Sequence, residues 1–143
     1  MERSLVLLKP DAVQRGLSGA ILERLEKLGL KLVSLKLLWM DEELAKKHYA
    51  PHSQKPFFPG LVAYITSAPV VAAVFEGNNA VEKVRKAMGA TDPSQAEPGT
   101  IRGDYGLDIE NNTIHGSDSV ATAELELRLF FSRGELFNYE TRS

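Results

Sequence analysis

The amino-acid sequence predicts a small α/β or α+β sandwich, and three observations lead to that prediction. Short apolar runs typical of buried strands alternate with stretches whose apolar residues recur at helical spacing, in the order β-α-β-α-α-β-α-loop-β-α. The length of 143 residues suits a single domain, residues 1–143, with a core of its own. An apolar content of 43% and a charged content of 25% are ordinary for a globular protein and argue against disorder.

The first half of the chain predicts two strands, each followed by helical segments. Residues 5–8 form an apolar run that ends just before a proline, as expected of a buried strand. Residues 18–28 carry apolar side chains at helical spacing between a serine and a glycine, which are common start and stop signals. Residues 30–40 are rich in apolar side chains and predict the second strand; acidic residues then open a helix that Pro51 closes. A further short helix is predicted over residues 61–65.

Beyond residue 69 the pattern continues with a strand, a helix and one long loop. Residues 70–75 are almost uniformly apolar and predict a third strand. Asn78 is placed to cap a helix whose apolar residues, within 81–88, form one stripe. Residues 89–112 are rich in Gly, Pro, Thr, Asp and Asn and predict a loop. A connection of that length inside a compact domain is usually functional or disordered.

The last third of the chain contains one short strand and one ambiguous segment. Residues 113–115 predict the strand. Residues 119–131 have two interpretations, because residues 124–130 alternate as a strand does, whereas Ser119 could cap a helix with apolar residues facing inward. Alternation taken alone slightly favours the strand.

The overall composition excludes several classes of function. A formal net charge of −2 is too small to indicate a nucleic-acid or membrane partner, so no nucleic acid is expected as the main partner. The absence of cysteine excludes disulfides, thiolate zinc sites and a cysteine nucleophile. The N-terminal apolar run is too short for a signal peptide, and no stretch is long enough to span a membrane, so we expect a cytoplasmic protein.

Any phosphate site in this chain must be built from side chains, because neither GxxxxGK(S/T) nor GxGxxG after a strand occurs. Arg85 lies about 40° around its helix from Val81, on the shoulder of the buried stripe, where a guanidinium is either an internal ion pair or a ligand to an anion. Arg102 suits bidentate phosphate binding, and the glycine after it lets the backbone approach a ligand. Lys9 ends a strand and Thr91 lies in the long loop; a solvated strand end and ordinary loop polarity are the alternatives for these two.

The segment 114–119, IHGSDS, surrounds His115 with small and hydrogen-bonding residues. A lone histidine is most often structural. Here, however, its neighbours leave space around the ring, Ser117 supplies a hydrogen-bonding group, and Glu124 and Glu126 follow closely enough to orient an imidazole. The pattern therefore also predicts a chemical role.

Two further patterns concern a base and a metal. Phe57, between two prolines, is either a core residue or an exposed ring on which a base can stack. His48 and His52 have the i,i+4 spacing of a metal-binding pair, but Pro51 interrupts the helix between them and no third ligand is evident. The sequence therefore predicts no protein ligand to a metal.

Four stretches in this chain closely resemble the nucleoside diphosphate kinase family, in order and with that family's spacing. They are Lys9-Pro10-Asp11, HYAPHSQKPFFPGLV (residues 48–62), PGTIRGDYG (98–106) and NNTIHGSDS (111–119). The resemblance covers essentially the whole chain, which ends soon after Phe137 as in the bacterial members. It implies a ferredoxin-like βαββαβ fold, with a four-stranded antiparallel sheet and helices packed on it. It therefore implies a helix from Ser119 onward, against the alternation there.

The resemblance also implies an activity and a set of site residues. The activity is transfer of the γ-phosphoryl group from a nucleoside triphosphate, mainly ATP, to a nucleoside diphosphate by a ping-pong mechanism through phosphohistidine at His115, with little base specificity. Such an enzyme balances the pools of nucleoside triphosphates. Tyr49 is implied near the phosphates, and Glu126 with Ser117 is implied to fix the orientation of the histidine. The nucleotide-binding residues implied are Lys9, which also takes part in catalysis, Phe57, Arg85, Thr91, Arg102, Ile109 and Asn112.

Cofactor and partners follow from the same resemblance. Mg²⁺ is expected, bound mainly through the phosphates of the nucleotide. The partners expected are nucleoside di- and triphosphates. A homo-oligomer is also expected, and Pro93, which resembles a residue that supports hexamer packing, favours a hexamer over a tetramer.

Two other functions compete with this prediction. RNA-binding modules of the RRM type share the βαββαβ topology, and residues 102–106 (RGDYG) faintly resemble their RNP1 pattern. They lack, however, the aromatic residue that should follow the first glycine and the Phe-Val that should follow the stretch. A catalytically silent scaffold or ligand sensor could also use this fold. Incubation with γ-labelled ATP distinguishes a phosphotransferase from a silent scaffold or sensor, since only an enzyme with a covalent intermediate becomes labelled.

Overall fold

The computed structural model describes residues 1–142. Within that range the strands are β1 (Glu2–Leu8), β2 (Lys31–Leu38), β3 (Val70–Gly77) and β4 (Ile114–Gly116). The helices are α1 (Pro10–Gln14), α2 (Ser18–Glu26), α3 (Glu42–His48), α4 (Phe58–Ile65), α5 (Ala80–Met88), α6 (Ile101–Tyr105) and α7 (Val120–Phe130). Short 3₁₀ turns occur at Ala50–His52, Pro93–Gln95 and Arg133–Glu135. No helix in residues 1–142 combines the length and apolar character needed to cross a bilayer.

The four strands form one antiparallel sheet in the order β2-β3-β1-β4. β1 lies inside the sheet, where Leu5 is opposite Val74 of β3 and Leu7 is opposite His115 of β4. The order and direction of the strands confirm the predicted ferredoxin-like βαββαβ fold. They also place β2 and β4 at the two edges of the sheet.

The two faces of the sheet carry separate apolar cores. Leu5 and Leu7 of β1 contribute to one core, which α3, α4 and α7 cover. Val6 and Leu8 contribute to the other, which α2, α5 and α6 cover. Because helices bury both faces, β1 shows a continuous apolar run instead of the alternation of a strand with one wet face.

The strand ends differ from those predicted. β1 begins at Glu2, and the residues after it do not simply end the strand but form α1, whose first residue, Pro10, is well suited to the first turn of a helix. β4 spans Ile114–Gly116, one residue later than predicted. The reason is that Thr113 has a φ of 80°, which a strand residue cannot adopt.

The start of α5 also differs from the prediction. The N-cap residue is Asn79 and not Asn78, and it has a left-handed φ of 55° with no side-chain capping bond. The carboxylate of Glu2 instead accepts a 3.0 Å hydrogen bond from the backbone N–H of Val81. A carboxylate suits this position, because the first N–H groups of a helix lack partners and carry partial positive charge.

The two ambiguous regions of the sequence contain helices. The predicted long loop, 89–112, includes α6 and a 3₁₀ turn. Residues 119–131 contain α7, and the hydroxyl of Ser119 accepts a 3.1 Å hydrogen bond from the N–H of Thr122. The strand interpretation there is wrong because burial follows the helical period: Leu127 is buried, whereas Leu125 is 66% exposed.

Candidate active site

The candidate site lies where β1, β4, α3 and α7 meet the segment 89–112. Lys9 directly follows β1 and His115 is the middle residue of β4. Because His115 is opposite Leu7 in an antiparallel pair, its side chain lies on the same face as Leu7, toward α3 and α7.

His115 is held by one hydrogen bond through its Nε2 atom. That atom lies 2.8 Å from Oε2 of Glu126. An ionised carboxylate can only accept, so Nε2 carries the shared proton, and in the neutral form of the ring Nδ1 is the nitrogen with the lone pair. The side chain of His115 is 25% exposed, which leaves part of the ring open to a ligand.

Glu126 is fixed through both of its carboxylate oxygens. Ser117 Oγ donates a 2.7 Å hydrogen bond to Oε1, and the same hydroxyl accepts a 3.0 Å bond from the backbone N–H of Leu5. Burial alone would raise the pKa of the Glu126 carboxyl, but the hydrogen bonds from His115 and Ser117 outweigh it and the pKa lies below its ordinary value. The carboxylate therefore stays ionised and links the histidine to the central strand.

His48 is a member of this cluster that the sequence did not predict. Its side chain is 1% exposed, its Nδ1 lies 3.6 Å from Glu126 Oε2, and its ring meets the ring of His115 edge-on at a centroid distance of 4.7 Å. Burial, reinforced by the nearby His115, lowers the pKa of His48 to about 3, so its ring is neutral. Helical spacing is the signal in the sequence that could have identified His48 as buried, since it lies three residues after Ala45 and shares the buried face of α3 with it.

Three of the predicted nucleotide-binding residues meet in one hydrogen-bonded chain. Lys9 Nζ donates a 2.7 Å bond to Asn112 Oδ1, and Asn112 Nδ2 donates a 2.9 Å bond to the backbone carbonyl of Thr91. Burial, followed by the charge of Arg102, lowers the pKa of Lys9 to about 8. This ammonium is thus poorly solvated and close to a second cation, an arrangement that an anion would relieve.

Arg102 is buried with backbone carbonyls as its partners. Its three nitrogens donate to the carbonyls of Ile114 at 2.7 Å, Gly89 at 3.2 Å and Asn112 at 3.3 Å. Within residues 1–142 no carboxylate lies at ion-pair distance from it. Burial, followed by the charge of Arg85, lowers the pKa of Arg102 to about 10, which still leaves it charged at neutral pH. The guanidinium is rigidly held and its charge is not neutralised.

Lys9, Arg102 and Arg85, whose charges act on one another, form with Asn112 a basic cluster, and Tyr49 lies beside His48. Arg85 is exposed, and in the described part of the chain its side chain makes no hydrogen bond or ion pair, so the internal ion pair considered from the sequence is not formed. Its stem is long enough to reach solvent from the shoulder of the stripe. Tyr49 is buried, its ring lies 4.7 Å from that of His48, and burial raises its pKa to about 12.

Phe57 and Ile109 are both on the surface. Phe57 is 52% exposed and Ile109 is 65% exposed, so the core interpretation of Phe57 is wrong. The adjacent Phe58 packs against the core instead. The ring of Phe57 lies 5.7 Å from that of His52, whose own ring lies 6.5 Å from that of Tyr49.

Two glycines serve a different purpose from the one predicted. A Cβ on Gly103 would clash with the carbonyl oxygen of Glu97, so this glycine allows close packing within the segment 89–112 rather than the approach of a ligand. A Cβ on Gly116 would lie 2.5 Å from the sulfur of Met88, on the sheet face opposite His115. It therefore makes room for α5 and not for the imidazole.

The chain is similar to known proteins along nearly its whole length. The family model described as "Nucleoside diphosphate kinase" matches residues 2–136. Relatives with that name include one from Dehalococcoides mccartyi, 66% identical over 99% of this chain and 100% of the relative, and one from Archaeoglobus fulgidus, 57% identical over 98% and 93%. The solved structure of a halophilic nucleoside diphosphate kinase from Halobacterium salinarum in complex with CDP matches with a TM-score of 0.96 at 55% identity, over 98% of this chain and 93% of that one.

Proposed function

This chain belongs to the nucleoside diphosphate kinase family, and we propose that its His115 carries the phosphoryl group between two nucleotides. The chain is an enzyme that transfers a phosphoryl group from a nucleoside triphosphate to a nucleoside diphosphate. The observation that carries the proposal is the pairing of Nε2 of His115 with Glu126, which leaves Nδ1 as the free nucleophile.

The reaction proceeds in two equivalent halves. Nδ1 of His115 attacks the γ-phosphorus, an N–P bond forms, and the bond from phosphorus to the β,γ-bridging oxygen breaks with its electron pair leaving on the diphosphate. The positive charge that develops on the ring is stabilised by the ionised Glu126, which keeps the proton on Nε2. A terminal oxygen of a second nucleoside diphosphate then attacks the phosphohistidine, and the N–P bond breaks to regenerate the free imidazole.

Fixed positive charge supplies most of the remaining catalysis. Phosphoryl transfer passes through a loose transition state with charge spread over oxygens, so positioning and electrostatics dominate. Lys9 and Arg102 are held by carbonyl and amide oxygens and need not reorganise during the reaction. Loss of one such preorganised donor costs on the order of 3 kcal/mol in the barrier. Arg85, Thr91 and Asn112 complete the proposed contacts to phosphate and sugar.

Recognition of the base rests on stacking. Phe57 and Ile109 expose apolar surface to solvent, and stacking on an aromatic ring is tolerant of base identity. The similar Halobacterium salinarum enzyme was solved with CDP, a pyrimidine nucleotide. We therefore expect this chain to accept both pyrimidine and purine nucleotides.

The basic cluster suits phosphates better than it suits a bare cation. Its side chains are an ammonium, guanidiniums and an amide, and the nearby carboxylate of Asp11 is engaged by Tyr64 and by Thr113 at 3.1 Å. Mg²⁺ would therefore be held mainly by phosphate oxygens and water, where it neutralises charge on the nucleotide. A cytoplasmic location, where nucleotides are abundant, suits these substrates.

The assembly proposed is a hexamer rather than a tetramer. In the structure β2 is an edge strand, and two of its residues, Leu35 and Leu37, are 48% and 63% exposed. An exposed apolar edge strand favours pairing with another chain. Pro93 lies against Gly106 within the segment 89–112, where the resemblance implies subunit packing.

The structure argues against the nucleic-acid alternative, because the stretch that resembles RNP1 is not a strand. The stretch RGDYG forms α6 and its C-cap, whereas an RNP1 motif must lie on a strand with aromatic rings on an open sheet face. Both faces of this sheet are covered by helices. The silent-scaffold alternative would not explain why an imidazole oriented by a carboxylate occurs in the same site as a buried lysine and a buried arginine.

Labelling with ATP that carries ³²P in the γ-position tests the proposal. The wild-type protein should acquire an acid-labile, base-stable label that chases onto any added nucleoside diphosphate. His115→Ala should acquire none while keeping its circular dichroism spectrum. His52→Ala, which changes a histidine in the 3₁₀ turn Ala50–His52, should still be labelled. A His115→Ala protein that still exchanges phosphate would exclude His115 as the carrier.

A further inference from the structure

His48 has no hydrogen-bond partner although it is almost completely buried. Neither Nδ1 nor Nε2 is paired within the described residues, and its side chain is 1% exposed. Leaving a buried polar group unpaired costs about 1–3 kcal/mol, and a bound ion is one of the arrangements that would remove this cost. The proposed phosphotransfer makes no use of this side chain.

The unpaired imidazole faces two other potential metal ligands. One ligand atom each from His48, His115 and Glu126 lies within 4.8 Å of the others. The individual distances are 3.6 Å from His48 Nδ1 to Glu126 Oε2 and 2.8 Å from that oxygen to His115 Nε2. Ligands about 2.0–2.2 Å from one ion would lie a little over 3 Å apart, so small side-chain rotations suffice.

The chemistry of this trio selects a class of ion. Two imidazole nitrogens and one carboxylate oxygen are the protein ligands of many zinc sites, which leave a fourth position for water. Nitrogen ligands favour late first-row ions such as Zn²⁺ and Co²⁺, whereas Mg²⁺ prefers oxygen ligands alone. The side chain of His115 is one-quarter exposed, so an ion can enter from the nucleotide side.

We propose that His48, His115 and Glu126 form a binding site for Zn²⁺ and similar ions, whose occupation stops phosphotransfer. This inhibitory consequence rests on the proposed role of His115. An ion bound at Nε2 displaces the proton of that nitrogen to Nδ1. The lone pair that would attack the γ-phosphorus is then no longer available. Occupation should therefore lower kcat and leave the KM for nucleotide nearly unchanged, because the basic cluster is untouched.

Metal binding is tested first, without nucleotide and without any activity assay. Titration calorimetry with Zn²⁺ in Mg²⁺-free buffer should show one site per chain in the wild-type protein. His48→Leu should weaken that site at least tenfold, whereas His52→Leu should not change it. Equal affinity in the wild type and His48→Leu, or no binding at all, would overturn the proposal.

A second measurement on the wild-type protein covers the case in which His48→Leu fails to fold. The chain contains three histidines, so their imidazole resonances can be assigned by elimination with few variants. Addition of Zn²⁺ should shift the resonances of His48 and His115 and leave those of His52 in place. Shifts confined to His52 would show surface binding only and would overturn the site.

The inhibitory consequence is tested last, with free Zn²⁺ fixed by a chelator buffer so that binding of the ion by nucleotide does not matter. The rate of phosphotransfer by the wild type should fall to half at a free Zn²⁺ concentration equal to the dissociation constant found by calorimetry. For His48→Leu, the free Zn²⁺ concentration that halves its own zinc-free rate should be at least tenfold higher than for the wild type. Binding without inhibition would overturn the inhibitory role but not the site; failure of His115→Ala to lose its phosphoryl label would instead overturn the proposed function.

Discussion

His115 owes its proposed reactivity to Glu126, which binds it through one oxygen and Ser117 through the other. The serine hydroxyl in turn accepts from the backbone of Leu5. A side chain on α7 is thereby fixed to the central strand, and the imidazole has one orientation and one tautomer. This chain of contacts joins His115, Ser117 and Glu126 into one unit and ties that unit to Leu5, which is 112 residues from Ser117 in the sequence.

Glu126→Gln should slow formation of the phosphoenzyme. A hydrogen bond to a charged group contributes about 1.5–3 kcal/mol, so its loss corresponds to roughly 10- to 100-fold in rate. The matched control is Glu124→Gln, an exposed carboxylate on the same helix, which should react at the wild-type rate. Rapid-quench labelling with γ-labelled ATP measures both, and equal rates for both variants would remove Glu126 from the mechanism.

Affinity for nucleotide should fall above about pH 8. The pKa of Lys9 in the folded protein is about 8, below its ordinary 10.5, because burial disfavours the charged form. As the pH rises through that value the free protein loses the ammonium charge, and an anionic ligand must restore it in order to bind. The dissociation constant of a nucleoside diphosphate should then rise by up to about tenfold per pH unit.

The control for this pH dependence is Lys9→Met. This variant should bind nucleotide weakly at all pH values and show little change between about pH 7 and pH 9.5. Arg102, with a pKa of about 10, keeps most of its charge over that range. A wild-type affinity that stays constant to pH 9.5 would show that Lys9 does not contact the phosphates.

Residues with a distinctive local motif were the easiest to single out from the sequence. IHGSDS indicated His115 and Ser117, the spacing after it indicated Glu124 and Glu126, and the family resemblance favoured Glu126 of these two. His48 was missed because its significance lies in being buried and unpaired, which depends on the packing of α3 against α7 and has no local signature. The glycine after Arg102 was misinterpreted for a related reason, since its close neighbour is Glu97 in the same segment.

At the scale of elements, α6 positions Arg102 within the segment 89–112. Thr100 caps this short helix by accepting a 3.0 Å bond from the N–H of Gly103, and Arg102 then donates to three carbonyls around it. A helix of five residues is not stable by itself. Its conformation therefore depends on these contacts, which explains why the sequence alone predicted only a loop.

Gly103→Ala should disturb this element and weaken nucleotide binding. The new methyl group would clash with the backbone of Glu97, and overpacking of this kind typically costs about 1–3 kcal/mol. Arg102 should move with α6, so both the unfolding free energy and the affinity for nucleotide should fall. Urea denaturation and titration calorimetry measure the two effects.

The matched control is Gly19→Ala in α2. No atom lies within 4 Å of a Cβ at that position, so alanine should stabilise the helix by about 0.5–1 kcal/mol and leave nucleotide binding unchanged. If Gly103→Ala were as harmless as Gly19→Ala, the proposed link between the packing of α6 and the position of Arg102 would be wrong.

The order of elements was easier to predict than their exact type. Short apolar runs identified the first three strands, because a strand buried on both faces needs little more than apolar side chains. Residues 124–130 were ambiguous because alternation there arises from leucines that are not equivalent: Leu125 faces solvent and Leu127 is buried. The buried positions Ala123, Leu127 and Phe130 follow the helical period, which a window of seven residues barely resolves.

At the scale of the whole molecule, apolar side chains remain exposed along one edge of the sheet. β2 is an edge strand that exposes Leu35 and Leu37. Trp39, just after β2, is also 65% exposed, although its indole N–H donates to the carbonyl of Thr66. Exposed apolar side chains so close together are a feature of surfaces that associate.

Leu37→Glu should therefore reduce the mass of the assembly. In the proposed hexamer the wild type should have about six times the 15.8 kDa of one chain, and a buried charge at the edge strand should shift the mass to smaller species. The matched control is Leu125→Glu, an equally exposed leucine on α7, which should keep the wild-type mass. Light scattering after size exclusion measures it, and a wild-type monomer or an unaffected Leu37→Glu would refute the assembly.

The most direct test of the central claim is to identify the nitrogen that carries the phosphoryl group. Protein labelled with ¹⁵N in its histidines and phosphorylated by ATP should show coupling of one phosphorus nucleus to Nδ1 of His115, with Nε2 still bearing its proton toward Glu126. Coupling to Nε2, or phosphorus attached to any other side chain, would contradict the proposed geometry of attack.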